Sequence, residues 1–383
     1  MASPEEKSPH PTLRPQDRLG YVPVLDGIRG IAVLTVLGHN LDIGWLPGGF
    51  FGVDIFFALS GFLITTLLLE DYSQHGFISL RTFFWRRFLR LYPALVLLVA
   101  ASALSSLLRH DVSPERVALV VASTLTYFSN WLQIYDSHAW VGGLSHTWSL
   151  AVEVHFYLLW AVTLALVIQR WGVRLKSLII FALAVAITSE SWRVAAWAIH
   201  LDQSHLYAGT DTRLDSIFFG VAAALFRYRY VKSPSENPIF HLTQGSVRAF
   251  EILTAICIGW LINQTAQFST FSFIGGFGLV GGATALVILT TLSNPHSILA
   301  GPLRIKALVW FGQISYSLYL WHLPVKKVIT AERLSRYGEF PWLLDLVRMV
   351  ASVALGAASY YFVERVFFRP RASSGIIKAL PPS

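Results

Sequence analysis

Apolar residues run along this chain in long stretches, with polar positions gathered between them. A helix crosses the hydrocarbon core of a bilayer in about 20 residues. Stretches near that length recur from end to end: 24–40, 51–70, 91–109, 147–169, 176–199, 213–229, 248–264, 272–292, 304–327 and 343–366. The pattern predicts about ten transmembrane helices, with a shorter amphiphilic segment, 117–130, lying at the interface or re-entering. The expected fold class is therefore an all-α, polytopic membrane protein. Its parts would be a cytoplasmic tail over 1–20, a membrane domain over 21–370 and a second tail over 371–383. No internal repeat of fixed period is evident.

Composition agrees. The chain is 14% charged, against about a quarter in soluble domains, so a single water-soluble globule is excluded. The net charge of +8 raises the possibility of nucleic-acid binding, but its placement argues against that. Lys7, Arg14 and Arg18 precede the first span, and Arg81, Arg86, Arg87 and Arg90 follow the second. Arg170, Arg174 and Lys176 follow the fourth, and Arg227, Arg229, Lys232 and Arg248 surround the loop after the sixth. Arg304 and Lys306 open the ninth, and Arg365, Arg369 and Arg371 close the tenth. Loops 41–50, 201–212 and 265–271 carry no Lys or Arg. This is the positive-inside pattern for both termini cytoplasmic; only loop 327–342, with Lys327, Arg333 and Arg336, runs against it. The polar start has no apolar core ending in a small-residue cleavage site, so a multi-pass protein of the cell (inner) membrane without a cleaved signal is expected. The single Cys257 lies in an apolar stretch, which allows no disulfide framework or sulfur-based metal site and favours a structural role.

What the apolar stretches should not contain is more informative. Arg29, His39, Asp54, Arg87, Arg90, His146, Glu153, Arg213, Asp215 and His322 lie inside them or at their mouths. Charges within a bilayer are expensive, so each is a candidate for function. Arg29 stands near the start of the first span, and His39 ten residues on, about 15 Å deeper. A neutral imidazole can take a hydroxyl's proton near physiological pH, though it could equally only bond a neighbouring helix. Asp54, in the glycine-rich Pro47–Phe62 stretch, could cap a helix; Ser60 could be a nucleophile or packing. Arg87 and Arg90 share one helical face, which suits phosphate recognition or anionic lipid headgroups. His146 precedes Glu153, which enters an apolar span and could orient an imidazole or act as acid and base. Arg213 and Asp215 form a charge pair at a span's mouth, for substrate or for a structural salt bridge. His322 ends an aromatic belt.

Taken in order, six segments resemble the integral-membrane acyltransferase family 3: Leu25–Gly30, Gly52–Thr65, Arg87–Pro93, His146–Glu153, Arg213–Asp215 and Ser315–Pro324. The resemblance runs from about residue 21 to 370 and is more specific for the family than for a substrate. It implies an O-acyltransferase that takes an acyl group, usually acetyl, from acyl-CoA (acetyl-CoA). The acceptor would be a hydroxyl of a glycan, a cell-envelope polysaccharide or a glycosylated metabolite. The family's essential Arg and His correspond to Arg29 and His39, its Arg-x-x-Arg to Arg87 and Arg90, and its span-entry glutamate to Glu153. Nine residues separate Arg29 from His39 where many relatives have ten, so Asn40 holds the usual register. His39 is favoured because Asn40 cannot act as a base. The usual Glu-Glu-Gln reads Glu153-Val154-His155 here, which leaves no second carboxylate. Some relatives carry an extra esterase-like domain; with only about 15 residues after the last span, none is expected here.

Residues and resemblance combine into one expectation. Acyl-CoA phosphates would meet Arg87 and Arg90, Arg29 would position the donor, and His39 would act as base or carry the acyl group. Glu153 or His146 would steady the imidazole, with Asp54, Ser60, Arg213, Asp215 and His322 in supporting positions. No metal and no nucleic acid is expected; membrane lipids are. The alternative from another class is a multi-span transporter or flippase of a cell-envelope precursor, since polar groups can line a path as well as a reaction site.

Overall fold

The computed structural model describes residues 18–41, 44–110, 112–136, 143–231, 238, 242–294, 296–330 and 341–367. Most of the expected 1–20 tail, all of the 371–383 tail, and Lys7, Arg14, Lys232, Arg333, Arg336, Arg369 and Arg371 lie outside the described residues. Among those described, every regular element is helical and no strand occurs. The longer helices are α1 (Pro23–Asn40), α2 (Gly52–His75), α3 (Leu80–Arg109), α4 (Pro114–Leu125) and α5 (Ser129–Tyr135). After them come α6 (Trp148–Trp171), α7 (Leu175–Ala198), α8 (Gln203–Ala208), α9 (Leu214–Tyr230) and α10 (Gln244–Gln264). The chain closes with α11 (Phe277–Ser293), α12 (Lys306–Gln313), α13 (Ser315–Val328), α14 (Pro341–Ser359) and the short α15 (Arg365–Phe367).

Among the described residues, seven helices are long and apolar enough to cross a membrane: 49–75, 80–109, 145–171, 175–198, 244–264, 272–293 and 342–367. The other three expected spans are also helical, but each departs from a plain apolar rod. Helix α1 carries Asp26, Arg29, His39 and Asn40 within its 18 residues. Helix α9 is only 17 residues long. The stretch 304–327 is broken at Ile314, where the backbone leaves helical geometry between α12 and α13. The amphiphilic 117–130 segment falls on two short helices, α4 and α5. The first of these starts at Pro114 with the Ser113 hydroxyl capping Arg116 N–H.

Helix α2 is the centre of the bundle. Of its apolar window 78% is buried, against 17% for the last span. The peripheral helices instead expose large apolar side chains, such as Ile180 and Ile187 on α7 and Leu253, Ile256 and Trp260 on α10. A water-facing surface would not tolerate so many; a lipid-facing one requires them. Glycines let the inner helices close up. A Cβ on Gly61 of α2 would overlap the Ile217 carbonyl oxygen, and one on Gly220 of α9 would overlap that of Ala58. Gly27 and Gly30 of α1 face the Leu303 and Leu308 carbonyls in the same way, and Gly312 meets the Asp26 carbonyl. The break at Ile314 lets α12 lie along the start of α1.

Gly220→Leu is expected to force α2 and α9 apart, at an overpacking penalty of about 1–3 kcal/mol. The midpoint of thermal unfolding in detergent should fall. Gly259→Leu on α10, where nothing lies within 4 Å of the added carbon, should leave that midpoint unchanged.

Candidate functional site

Two of the cavities among the described residues take up several of the polar residues picked out in the sequence. The first, of about 80 Å³, is lined by Arg29 of α1, Ser60 of α2, Arg87 and Arg90 of α3, Glu153 and Tyr157 of α6, and Ser315, Tyr316 and Tyr319 of α13. Three guanidinium groups and the Glu153 carboxylate thus line this arginine cavity, and the Glu364 carboxylate lies close enough to act on Arg90 and Arg29. Glu153 is committed to hydroxyls: Ser60 donates to its Oε1 at 2.8 Å and Tyr157 to its Oε2 at 2.7 Å. Arg29 reaches Asp26 only at 3.5 Å, and the Arg87 guanidinium lies over the Phe83 and Tyr157 rings at 5.9 and 5.8 Å. Arg29 thus has its acidic neighbour at long range, and Arg87 rests against ring faces. Such a cavity is ready for an anion.

The second cavity, of about 120 Å³, is lined by His39 and Asn40 of α1, Gln133, His146, Trp148, Tyr207, Gln267 and Leu323, among others. His39 Nε2 lies 3.4 Å from Gln267 Oε1, and its ring meets Phe50 edge-on at 5.5 Å. Asn40 also borders this space, but its amide donates to the Val36 carbonyl of its own helix at 2.9 Å. His146 Nδ1 donates to the Gly143 carbonyl at 3.0 Å and His322 Nδ1 to that of Tyr319 at 2.5 Å. A carbonyl only accepts, so each ring carries its proton on Nδ1 and leaves Nε2 as a lone pair. The two rings are 5.0 Å apart, and neither buried Nε2 has a hydrogen-bond partner in the structure; nor does buried Gln133 Oε1.

The expected pairing of Arg213 with Asp215 is not what the fold makes. Arg213 Nη2 donates to Asp54 Oδ1 at 2.9 Å, and Ser216 donates to the same oxygen at 2.9 Å. Asp215 instead accepts from Arg193 at 2.8 Å, and Arg193 also bonds Glu190 and the Thr212 carbonyl. The Arg213 guanidinium lies 3.6 Å from the centre of the Phe277 ring, with Phe57, Trp148 and Tyr207 within 5.7 Å. None of Asp54, Arg213, Asp215 or His322 lines either cavity. These residues support the walls. Glu153 lines the arginine cavity and His39 the other.

Sequence reasoning missed Arg193 and Glu190, although both are charges within the 176–199 apolar stretch and the same rule would have found them. Tyr157 is four residues after Glu153 and so on its helical face, which was also readable. Gln267 and Tyr319 gave no signal of their own.

An all-α polytopic membrane protein with an anion-ready interior is the class that fold and site define. The chain belongs to the acyltransferase family: the family model described as "Acyltransferase domain" matches residues 22–361. It is 33% identical over 356 residues to a "Putative O-acetyltransferase" of Staphylococcus aureus (strain COL), covering 91% of this chain and 58% of that protein. It is 32% identical over 350 residues to the "Peptidoglycan O-acetyltransferase OatA" of Listeria monocytogenes, covering 90% of this chain and 55% of the relative. The chain thus spans little more than half the length of these curated relatives. No solved structure matches it.

Truncating Asp54 alone should be severe, because Asp54→Ala strands a buried guanidinium; the expected loss is about 3–5 kcal/mol, read as a lower unfolding midpoint in detergent. Replacing both partners with apolar residues, Asp54→Leu with Arg213→Met, should recover most of that loss.

Proposed function

We propose that the protein is a membrane O-acyltransferase of the cell (inner) membrane, moving an acetyl group from acetyl-CoA to a hydroxyl of a cell-envelope glycan or glycosylated acceptor. Residues 21–370 form its catalytic domain. The observation that carries this reading is the convergence of Arg29, Arg87 and Arg90, from two helices distant in sequence, on one cavity that Glu153 also lines. A CoA ester brings phosphates, and guanidinium groups bind phosphate through paired, charge-assisted hydrogen bonds. The basic residues Arg81 and Arg86 beside this end of α3 agree with a cytoplasmic mouth, where acyl-CoA is made. From Arg29 to His39 is about 15 Å along α1, a distance the pantetheine arm can span.

In the second cavity, which His39 lines, His39 takes the acceptor's proton. Gln133 Oε1 and His146 Nε2, buried acceptors without a partner, suit a ligand rich in hydroxyls. The names carried by the staphylococcal and listerial relatives point to the same chemistry and, for the latter, to peptidoglycan as acceptor. In the transfer the thioester C–S bond breaks and an ester C–O bond forms. His39 receives the hydroxyl proton and the thiolate departs to be protonated. Glu153, tied to Ser60 and Tyr157, shapes the donor side.

The test is mass spectrometry of envelope glycans and extractable lipids from cells expressing the protein. Base-labile acetyl groups should appear with the unsubstituted chain. They should fall by about a hundredfold or more with His39→Ala, the usual scale for losing a general base. Arg29→Ala should be comparably poor, and Arg87→Ala with Arg90→Ala should raise the acetyl-CoA concentration needed. Full acetylation by His39→Ala protein that reaches the membrane would sink the assignment. Passage of an envelope precursor across vesicles with no acyl donor present would favour transport instead.

A further inference from the structure

Among the described residues, Val53 and Tyr319 line both cavities. The arginine and histidine cavities therefore adjoin at these side chains, one on α2 and the other on α13. Both are nearly buried, at 6% and 7% exposure, and neither is free to swing aside. The Tyr319 hydroxyl donates to the His146 carbonyl at 3.0 Å and lies 2.7 Å from Ser149 Oγ. Its ring packs edge-on against Phe56 at 6.3 Å and His146 at 5.2 Å. Val53 is β-branched, which restricts its rotamers, and the residue after it, Asp54, is pinned to Arg213.

We propose that Val53 and Tyr319 form the junction that holds the acyl group during transfer and restrict it to the size of acetyl. The inference rests on the acyltransferase reading above. If the donor occupies the arginine cavity and the acceptor hydroxyl the histidine cavity, the reacting carbonyl carbon must lie where both can reach. That place is the boundary the two cavities share. The acyl tail then lies against the Val53 isopropyl group and the Tyr319 ring, and each further methylene meets one of them. A tethered ring cannot yield as an untethered one can, so the limit is set by shape rather than by affinity for the CoA moiety. Val53 and Tyr319 are specificity determinants here; the proton transfer remains with His39.

The test uses the full chain in inverted membrane vesicles that retain their native envelope glycans and lipids. Acetyl-CoA and butyryl-CoA are supplied in equal amounts, and base-labile acyl groups on the acceptors are counted by mass spectrometry. The unsubstituted protein should transfer acetyl in large excess. Val53→Ala and Tyr319→Leu should each raise the butyryl-to-acetyl product ratio about tenfold or more, the scale on which a pocket discriminates methylenes. Tyr319→Phe, which keeps the ring but frees its end, should fall between. Should Tyr319→Leu fail to reach the membrane, Val53→Ala decides the matter. A ratio within twofold of the unsubstituted protein in Val53→Ala, with acetyl transfer retained, overturns the junction. So does an unsubstituted protein that transfers butyryl as readily as acetyl. Transfer from neither donor by the unsubstituted protein overturns the acyltransferase reading, and the junction with it.

Discussion

Helices α2 and α9 touch through Gly61 and Gly220, each backbone lying against a carbonyl of the other. Near that crossing Asp54 meets Arg213, at 0% and 1% side-chain exposure. The two contacts depend on each other. An unpaired charge at this depth would cost several kcal/mol, and the partners can meet only if the helices come close enough for glycine alone to fit. Once α2 is locked, the rest of its inward face is placed. Val53 sits between the cavities, Ser60 hydrogen-bonds Glu153, and Gly52 lies against the Ala32 carbonyl of α1. The helix that carries none of the essential-looking cations therefore positions the helices that do.

Arginine plays two opposite parts within this frame. Arg213 is enclosed by a carboxylate and four aromatic rings, so its charge is satisfied inside the fold. Arg29 keeps 20% side-chain exposure and reaches its nearby carboxylate only at 3.5 Å, beside two more guanidinium groups in one cavity. The Coulomb energy of such a cluster is unfavourable at low dielectric. It is tolerable where an anion or water can enter, and burial alone gives no reason to assemble it. Residue type thus says little; what distinguishes a wall from a site is whether the group borders a cavity.

The sequence made the apolar segments legible because lipid imposes both length and composition, and it made the inward-facing cations legible because lipid penalises them. Partner choice was not legible. Arg213 and Asp215 are two residues apart and look like a pair, yet Arg213 stands just before α9 with non-helical backbone and Asp215 lies in its first turn. Arg213 meets Asp54 from far along the chain, and Asp215 meets Arg193. The break at Ile314 was hidden as well: no Pro marks it, and the approach of Gly312 to the Asp26 carbonyl appears only in the fold. His39 and Glu153 read as neighbours in function, but depth along two different helices assigns them to separate cavities. Tyr319 looked like one more member of an aromatic belt until its hydroxyl was found tied to the His146 carbonyl.

Division of the interior into two cavities has a physical advantage on the proposed reading. Carrying the phosphates of a CoA ester through hydrocarbon would be prohibitive, and carrying a glycan inward would require dehydrating many hydroxyls. An acetyl group is neutral and small, so it is the cheapest fragment to pass from one side to the other. A protein that keeps the charged donor in an arginine-lined space and the polar acceptor in a histidine-lined one needs only a narrow common boundary. Narrowness then serves two ends at once: it limits what can be transferred, and it keeps water from linking the two faces of the membrane. Such a boundary must be made of side chains that fill space without adding charge, and Val53 with a tethered Tyr319 meets that requirement.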